Sequence, residues 1–240
     1  MSLLPKLNNM PKYSVTIPSM NKEVMIRPFI VKEEKIMLIA MESQDPKQIA
    51  QSILDTVKSC ILDEVESRLL TSYDVEYLFL KIRAKSAGET AKLLFKCEEC
   101  EEENEVTVNL DEIKMDIKEG WTNDNVVKIT DEISLEMRHP SFLALASSSD
   151  VVTSKSPTHQ IFGILKESVA AVLTDDNRID VKDVNFEEFE EFIESMTGEQ
   201  FTKIREYVLK IPKLTHEVNY DCEKCSKDNN VKLEGLQSFL

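Results

Sequence analysis

The chain has 240 residues, 42% of them apolar and 30% charged, with 29 basic against 44 acidic side chains and a net charge of −15. This is enough chain for one large domain or two intimate ones. A field of that sign repels phosphate backbones and anionic membrane surfaces, and favours docking to a basic protein surface. The longest apolar run, Ile36 to Met41, falls far short of the roughly 20 residues a membrane helix needs. With Pro5 in its short apolar start, the N-terminus does not read as a signal peptide. A reducing cytoplasm is expected, where persistent disulfides are rare. The five glycines, at 88, 120, 163, 198 and 235, are scattered, which excludes the clustered Gly of common phosphate-cradling loops.

Tyr13 to Phe29 alternates on both sides of "PSMN" and predicts a β-hairpin. Val31 to Ser43 is rich in helix formers. Asp45 to Val65 places Pro46 at a first helical position with Asp45 as cap, and spaces Ile49, Ile53, Val57, Cys60 and Ile61 as one helical face. Thr71 to Glu89 predicts a third helix ending at Gly88.

The period then changes to two. "TAKLLFKC" and "NEVTVNL" read as strands around the first cysteine pair, and Val126 to Pro140 as another hairpin. Helices return in "SFLALASSSD", over Thr158 to Thr174, and over Asn185 to Met196, where Asn185 and Glu188 form a capping-box pattern. "TGEQFTKIREYVLKIP" continues the helical run, and the chain closes on alternating sequence. Ser147 to Thr158 is the one polar, Ser-rich loop. The fold class is α+β: helical segments with short β-hairpins and a zinc-ribbon-like pair of CxxC knuckles. The expected organisation is an N-terminal hairpin plus helices over 1–90, then a ribbon-like β region over 91–138 and 213–240, with a helical insertion over 140–212.

Four of the five cysteines form two CxxC pairs, Cys97/Cys100 and Cys222/Cys225. Superposing the pairs at an offset of 125 also matches Glu98 with Glu223, Asn104 with Asn229, and Val106 with Val231. Each copy reads strand, CxxC, short polar turn, strand. Two such turns can close a tetrahedral four-thiolate zinc site, one zinc per chain. The alternative of a redox dithiol fits less well. Such thiols sit at helix N-termini, whereas these are flanked by strands, and the first is ringed by Glu98, Glu99 and Glu101 to Glu103. Those glutamates also oppose the net −2 of a zinc tetrathiolate, with Lys96, Lys224 and Lys227 available to offset them. The glycine usual after the second cysteine is replaced by Glu101 and Ser226. His216 is a candidate substitute ligand. Four thiolates leave no open metal position, so the metal is read as structural rather than catalytic.

Cys60 reads as a core residue and His139 as part of a turn. His159 lies near a helix start, and none of these suggests a triad. In "FEEFEEFIE", Phe186, Phe189 and Ile193 share one helix face, and the glutamates read as its solvated side. "IMLIAM" is apolar nearly all round, so its helix is either buried or covered by a partner chain.

The stretches "MIRPFIVKEEKIMLIAME" (Met25 to Glu42), "YDVEYLFLKIRAKSAGE" (Tyr73 to Glu89), "LLFKCEEC" and the opening "LPKLNNMPKYSVTIPS" resemble the baseplate hub assembly proteins of T-even-like contractile-tailed bacteriophages. The resemblance covers about the first 110 residues well. It implies a non-enzymatic role in virion morphogenesis, with other baseplate hub proteins as partners. It places the protein in the host cytoplasm during assembly, and then in the tail baseplate if it stays in the virion. Arg27, Pro28, Glu33, Glu34 and Lys35 match the pattern without an assigned chemical role. The competing function is a zinc-ribbon regulator binding nucleic acid, which the charge of −15 opposes.

Overall fold

The computed structural model describes residues 10–66, 69–119, 121, 125–147 and 157–239. Strands β1 (Tyr13–Ile17) and β2 (Lys22–Ile26) form the expected hairpin, turning through Asn21 at φ 48°. Helix α1 (Val31–Ser43) starts where Glu33 reaches back to the Ile30 N–H at 2.9 Å and takes Arg27 Nη2 at 2.8 Å. Helix α2 (Pro46–Cys60) is capped by Asp45, which accepts from the Lys47 N–H at 2.9 Å. It stops five residues before the expected Val65, because Ile61 turns extended and bridges Ile26.

Helix α3 (Ser72–Ala87) organises the molecule. Thr71 caps it, and the fully buried Asp74 accepts from both the Thr71 and Ser19 N–H groups at 2.9 Å, tying hairpin to helix. Val75, Leu78, Phe79 and Ile82 join Ile17, Val24, Ile26, Ile53 and Val57 in a first core. From the opposite face Leu80 and Ala84 join a second core with Ala91, Val108, Leu110, Leu214, Val218 and Leu233. A helix apolar on both faces must be covered on both, and here two layers cover it.

The second core carries β3 (Thr90–Lys96) paired with β4 (Glu103–Asn109), and a three-stranded sheet in the order β11 (Asp228–Glu234), β10 (Lys213–Asp221), β5 (Lys114–Asp116). The C-terminal turn Leu236–Phe239 puts Leu236 into the first core and Phe239 into the second. The Leu236 N–H donates to Glu76 at 3.1 Å. Burial still pushes the Glu76 carboxyl up to about 7.

A third core belongs to an inserted layer. Strands β6 (Val126–Lys128), β7 (Ile133–Met137), β8 (Val169–Thr174) and β9 (Arg178–Asp180) make one antiparallel sheet. Helices α5 (Pro157–Ser168), α6 (Phe186–Glu194) and α7 (Gly198–Lys210) accompany it, and Leu135, Met137, Leu165, Val169, Phe189, Ile193 and Ile204 are buried together. Helix α4 (Phe142–Ser147) leads toward it, with Phe142 and Leu143 packed on the first core.

The single helix expected over Thr158 to Thr174 is corrected here: it ends at Ser168. The Ser168 hydroxyl bonds back to the Ile164 carbonyl at 2.7 Å, and its own carbonyl accepts from the Arg138 N–H at 2.7 Å. From Val169 the chain becomes the central strand β8 between β7 and β9, with Val169 and Ala171 fully buried. An apolar run of this length suits a buried strand as well as a helix, and its β-branched residues favour the sheet. The hairpin over Val126 to Pro140 forms as expected, and pairs with β8 rather than with a cysteine-bearing strand. Asn185 caps α6, accepting from the Glu188 N–H at 2.7 Å. Most of the Ser-rich stretch from Ser147 to Thr158 lies outside the described residues.

Candidate metal centre

Each cysteine pair sits in the tight turn between two paired strands, the first between β3 and β4 and the second between β10 and β11. The turns share one backbone pattern. Cys97 N–H bonds the Glu102 carbonyl and Cys222 N–H the Lys227 carbonyl, both at 2.9 Å. Glu101 N–H returns to the Cys97 carbonyl at 3.0 Å, and Ser226 N–H to the Cys222 carbonyl at 2.9 Å. Both turns pass through the left-handed region, Glu101 at φ 58° and Ser226 at φ 57°. These are the two positions that usually hold glycine, so each knuckle accepts a strain of about 1–2 kcal/mol.

The two knuckles meet as a pseudo-two-fold pair. Cys97 Sγ lies 3.6 Å from Cys225 Sγ, and Cys100 Sγ lies 3.6 Å from Cys222 Sγ. All four sulfurs fall within 4.8 Å of one another. A zinc tetrathiolate with bonds of about 2.3 Å has sulfur–sulfur edges of about 3.8 Å, so the donor set fits such an ion. Cys97 and Cys222 are buried, Cys100 is half-buried and Cys225 is exposed.

Two asparagines lock the arrangement. Asn104 Oδ1 accepts from the Glu223 N–H of the second knuckle at 2.9 Å, and Asn229 Oδ1 accepts from the Glu98 N–H of the first at 3.2 Å. Each side-chain amide also donates within its own turn, to the Glu102 carbonyl at 2.9 Å and the Lys227 carbonyl at 2.7 Å. Both asparagines are only 2% exposed, so each bridges the knuckles out of water. Tyr220 adds a hydroxyl bond to the Lys96 carbonyl at 3.1 Å and stacks on Phe95 at 5.7 Å. The sequence showed Asn104 and Asn229 at equivalent places in a repeat. A polar residue repeated beside two CxxC turns was the available signal for this role.

The electrostatics favour a cation. The Cys225 N–H beside Cys222 holds that thiol down to about 6. At Cys225 the Lys227 N–H acts in the same lowering sense, but the partial desolvation of this exposed thiol and its three neighbouring thiols outweigh it and push the group up to about 12. Four sulfurs this close cannot all ionise unless positive charge lies among them. Around the rim, Lys224 pairs with Glu102 across the knuckles at 2.7 Å, and Lys96 pairs with Glu103 at 3.8 Å. Lysines thus sit against the glutamates that oppose a tetrathiolate.

The remaining candidates lie elsewhere. His216 is on β10 opposite Leu233, outside the four-sulfur cluster. Cys60 is fully buried in the first core, and desolvation pushes its thiol up to about 11. His139 packs among Tyr73, Trp121 and Tyr207, and burial lowers its pKa. The His159 side chain lies outside the described residues. In α6, Phe189 and Ile193 are buried, while Glu187, Glu188 and Glu191 face solvent. Among the described residues no helix is long and apolar enough to cross a membrane.

Comparison with known families gives one match that spans nearly the whole chain. The family model described as T4 bacteriophage base plate protein matches residues 10–240. The chain belongs to this family. The match takes in the N-terminal helices, the inserted layer and both knuckles of this base plate protein, so it extends the resemblance beyond the first 110 residues. No curated protein and no solved structure matches the chain significantly.

Proposed function

We propose that this base plate protein is a non-enzymatic assembly factor or component of the tail-baseplate hub. It works by binding other hub proteins, in the host cytoplasm while the tail is built. One structural zinc on Cys97, Cys100, Cys222 and Cys225 holds its two knuckles together. The family match over residues 10–240 supports the baseplate context. The four sulfurs within 4.8 Å, clasped by Asn104 and Asn229, carry the metal reading. Zinc supplies only bonding here, because four thiolates fill its coordination sphere and leave no position for substrate. The chain contributes a preformed cage, with two thiols shielded from water and backbone N–H groups that favour thiolate.

Two measurements test this. Elemental analysis of the purified chain is expected to give about one zinc per molecule, as a single four-cysteine site requires. A folded, metal-free protein with four freely titrating thiols contradicts the site. Phage lacking the gene are expected to make tails without finished baseplates, and normal infectious tails contradict the hub role.

A further inference from the structure

Helix α1 turns Glu33, Met37 and Ala40 to the core and leaves large apolar side chains outside. Val31 is 77% exposed, Leu38 and Ile39 55% each, Ile36 47% and Met41 39%. This is the stretch whose sequence is apolar nearly all round, and the fold buries only one side of it. Along the outward meridian, at the helical steps i, i+4, i+7 and i+11, stand Val31, Lys35, Leu38 and Glu42. One cation and one anion therefore interrupt an apolar stripe. Among the described residues neither Lys35 nor Glu42 forms an ion pair.

We infer that α1 packs antiparallel against α1 of a second copy of this chain, about a two-fold axis passing between Leu38 and Ile39. In that register, facing residue numbers sum to a constant. Lys35 meets Glu42 of the second copy, Glu42 meets Lys35 of the second copy, and Leu38 meets Ile39 of the second copy. An isologous contact demands such self-complementarity, because one patch must satisfy itself. A parallel pairing in register sets Lys35 against Lys35 and Glu42 against Glu42, and is repelled. At about 1.5 Å per residue the helix face is about 20 Å long, and it covers less than the roughly 800 Å² per partner of a standard interface. A face this small makes a weak, reversible pairing, to be read across the micromolar range.

Sedimentation equilibrium of the full chain tests the pairing. Between low and high micromolar concentration the wild-type mass is expected to climb from 27.5 kDa toward twice that value. Leu38→Glu is expected to stay at 27.5 kDa throughout, with unchanged circular dichroism and melting. Lys35→Glu or Glu42→Lys alone weakens dimerisation about tenfold, and the double charge swap restores it to near the wild-type value. A wild-type chain that stays monomeric at the highest concentration overturns the inference. So does a dimer indifferent to Leu38→Glu, or a double swap that fails to rescue. A monomer that gains mass only when another baseplate protein is added assigns the face to a different neighbour, and also overturns it.

Discussion

The inserted layer and the cysteine-bearing tip hold themselves together by different means. The inserted layer has a four-stranded sheet, three helices and its own core, with Leu135, Met137, Val169 and Ile204 fully buried. The tip has two ribbons. Near α3 they bury Ala91, Val108, Leu214 and Leu233; farther out Val106 and Val231 are half-buried, and the last apolar contact before the cysteines is Phe95 stacked on Tyr220. A two-stranded ribbon is marginal in water by itself. Where apolar burial runs out, four thiols and two asparagines take over. The contrast teaches that a metal would be most valuable there, at the end of ribbons that have no second layer to lean on.

Breaking the tip should have the largest effect. Cys222→Ser, or chelation of the metal, is expected to lower the unfolding free energy by roughly 5 kcal/mol or more, read by denaturant titration. Trp121, the only tryptophan in the chain, packs on Tyr207 of α7 and reports on the inserted layer. Its fluorescence should persist when the tip is lost, and simultaneous loss of both signals would erase the contrast. Phe189→Ala is the matching cut in the inserted layer. It removes a ring only 1% exposed and should cost about 3–5 kcal/mol while leaving metal content unchanged.

Glu76 tests the junction under the C-terminal turn. Its folded-state pKa of about 7 stands above the ordinary 4.5, so between those values the folded chain keeps a proton that the unfolded chain has lost. Stability should fall as pH rises through that window, by up to about 3 kcal/mol. Glu76→Gln should remove the slope and be the more stable form at pH 8. Melting curves across the range decide it, and a flat wild-type profile would refute the shift. Asn229→Ala should cost about 1–3 kcal/mol, because it removes a buried amide that bonds the Glu98 N–H across the knuckles, and Asn104→Ala should cost a similar amount. The smallest effect has the opposite sign. Glu101→Gly and Ser226→Gly each relax a positive φ and should gain up to about 1 kcal/mol, visible as a small rise in melting temperature.

Much of this was legible in the sequence where the signal was local or repeated. Caps named by residue type, Asp45 before Pro46 and Asn185 before Glu188, stand where their side-chain chemistry puts them. The two cysteine pairs announced each other through the offset of 125 residues, and the four sulfurs do converge. What the sequence hid is non-local. The β-branched residues of "VAAVLT" lean toward a strand, but its apolar run suits a buried helix as well, and only β7 and β9 on either side of it settle the matter. The packing of His139 among Tyr73, Trp121 and Tyr207 joins residues far apart in the chain and carries no periodic trace. The outward apolar face of α1 was visible as composition, but only the fold shows which side stays open.

The separation of the two knuckles also sets a clock. Cys97 and Cys100 leave the ribosome with 222 − 100 − 1 = 121 residues still to come before Cys222. At roughly 5–20 residues per second, the first knuckle waits on the order of ten seconds for its partner. During that interval it is a dithiol among glutamates, a setting that discourages thiolate and so guards against premature oxidation. A nascent chain that stalls inside the inserted layer still lacks Leu236 of the first core and cannot close the four-sulfur cage. The cage therefore doubles as a completion mark: only a chain translated past Cys225 carries it.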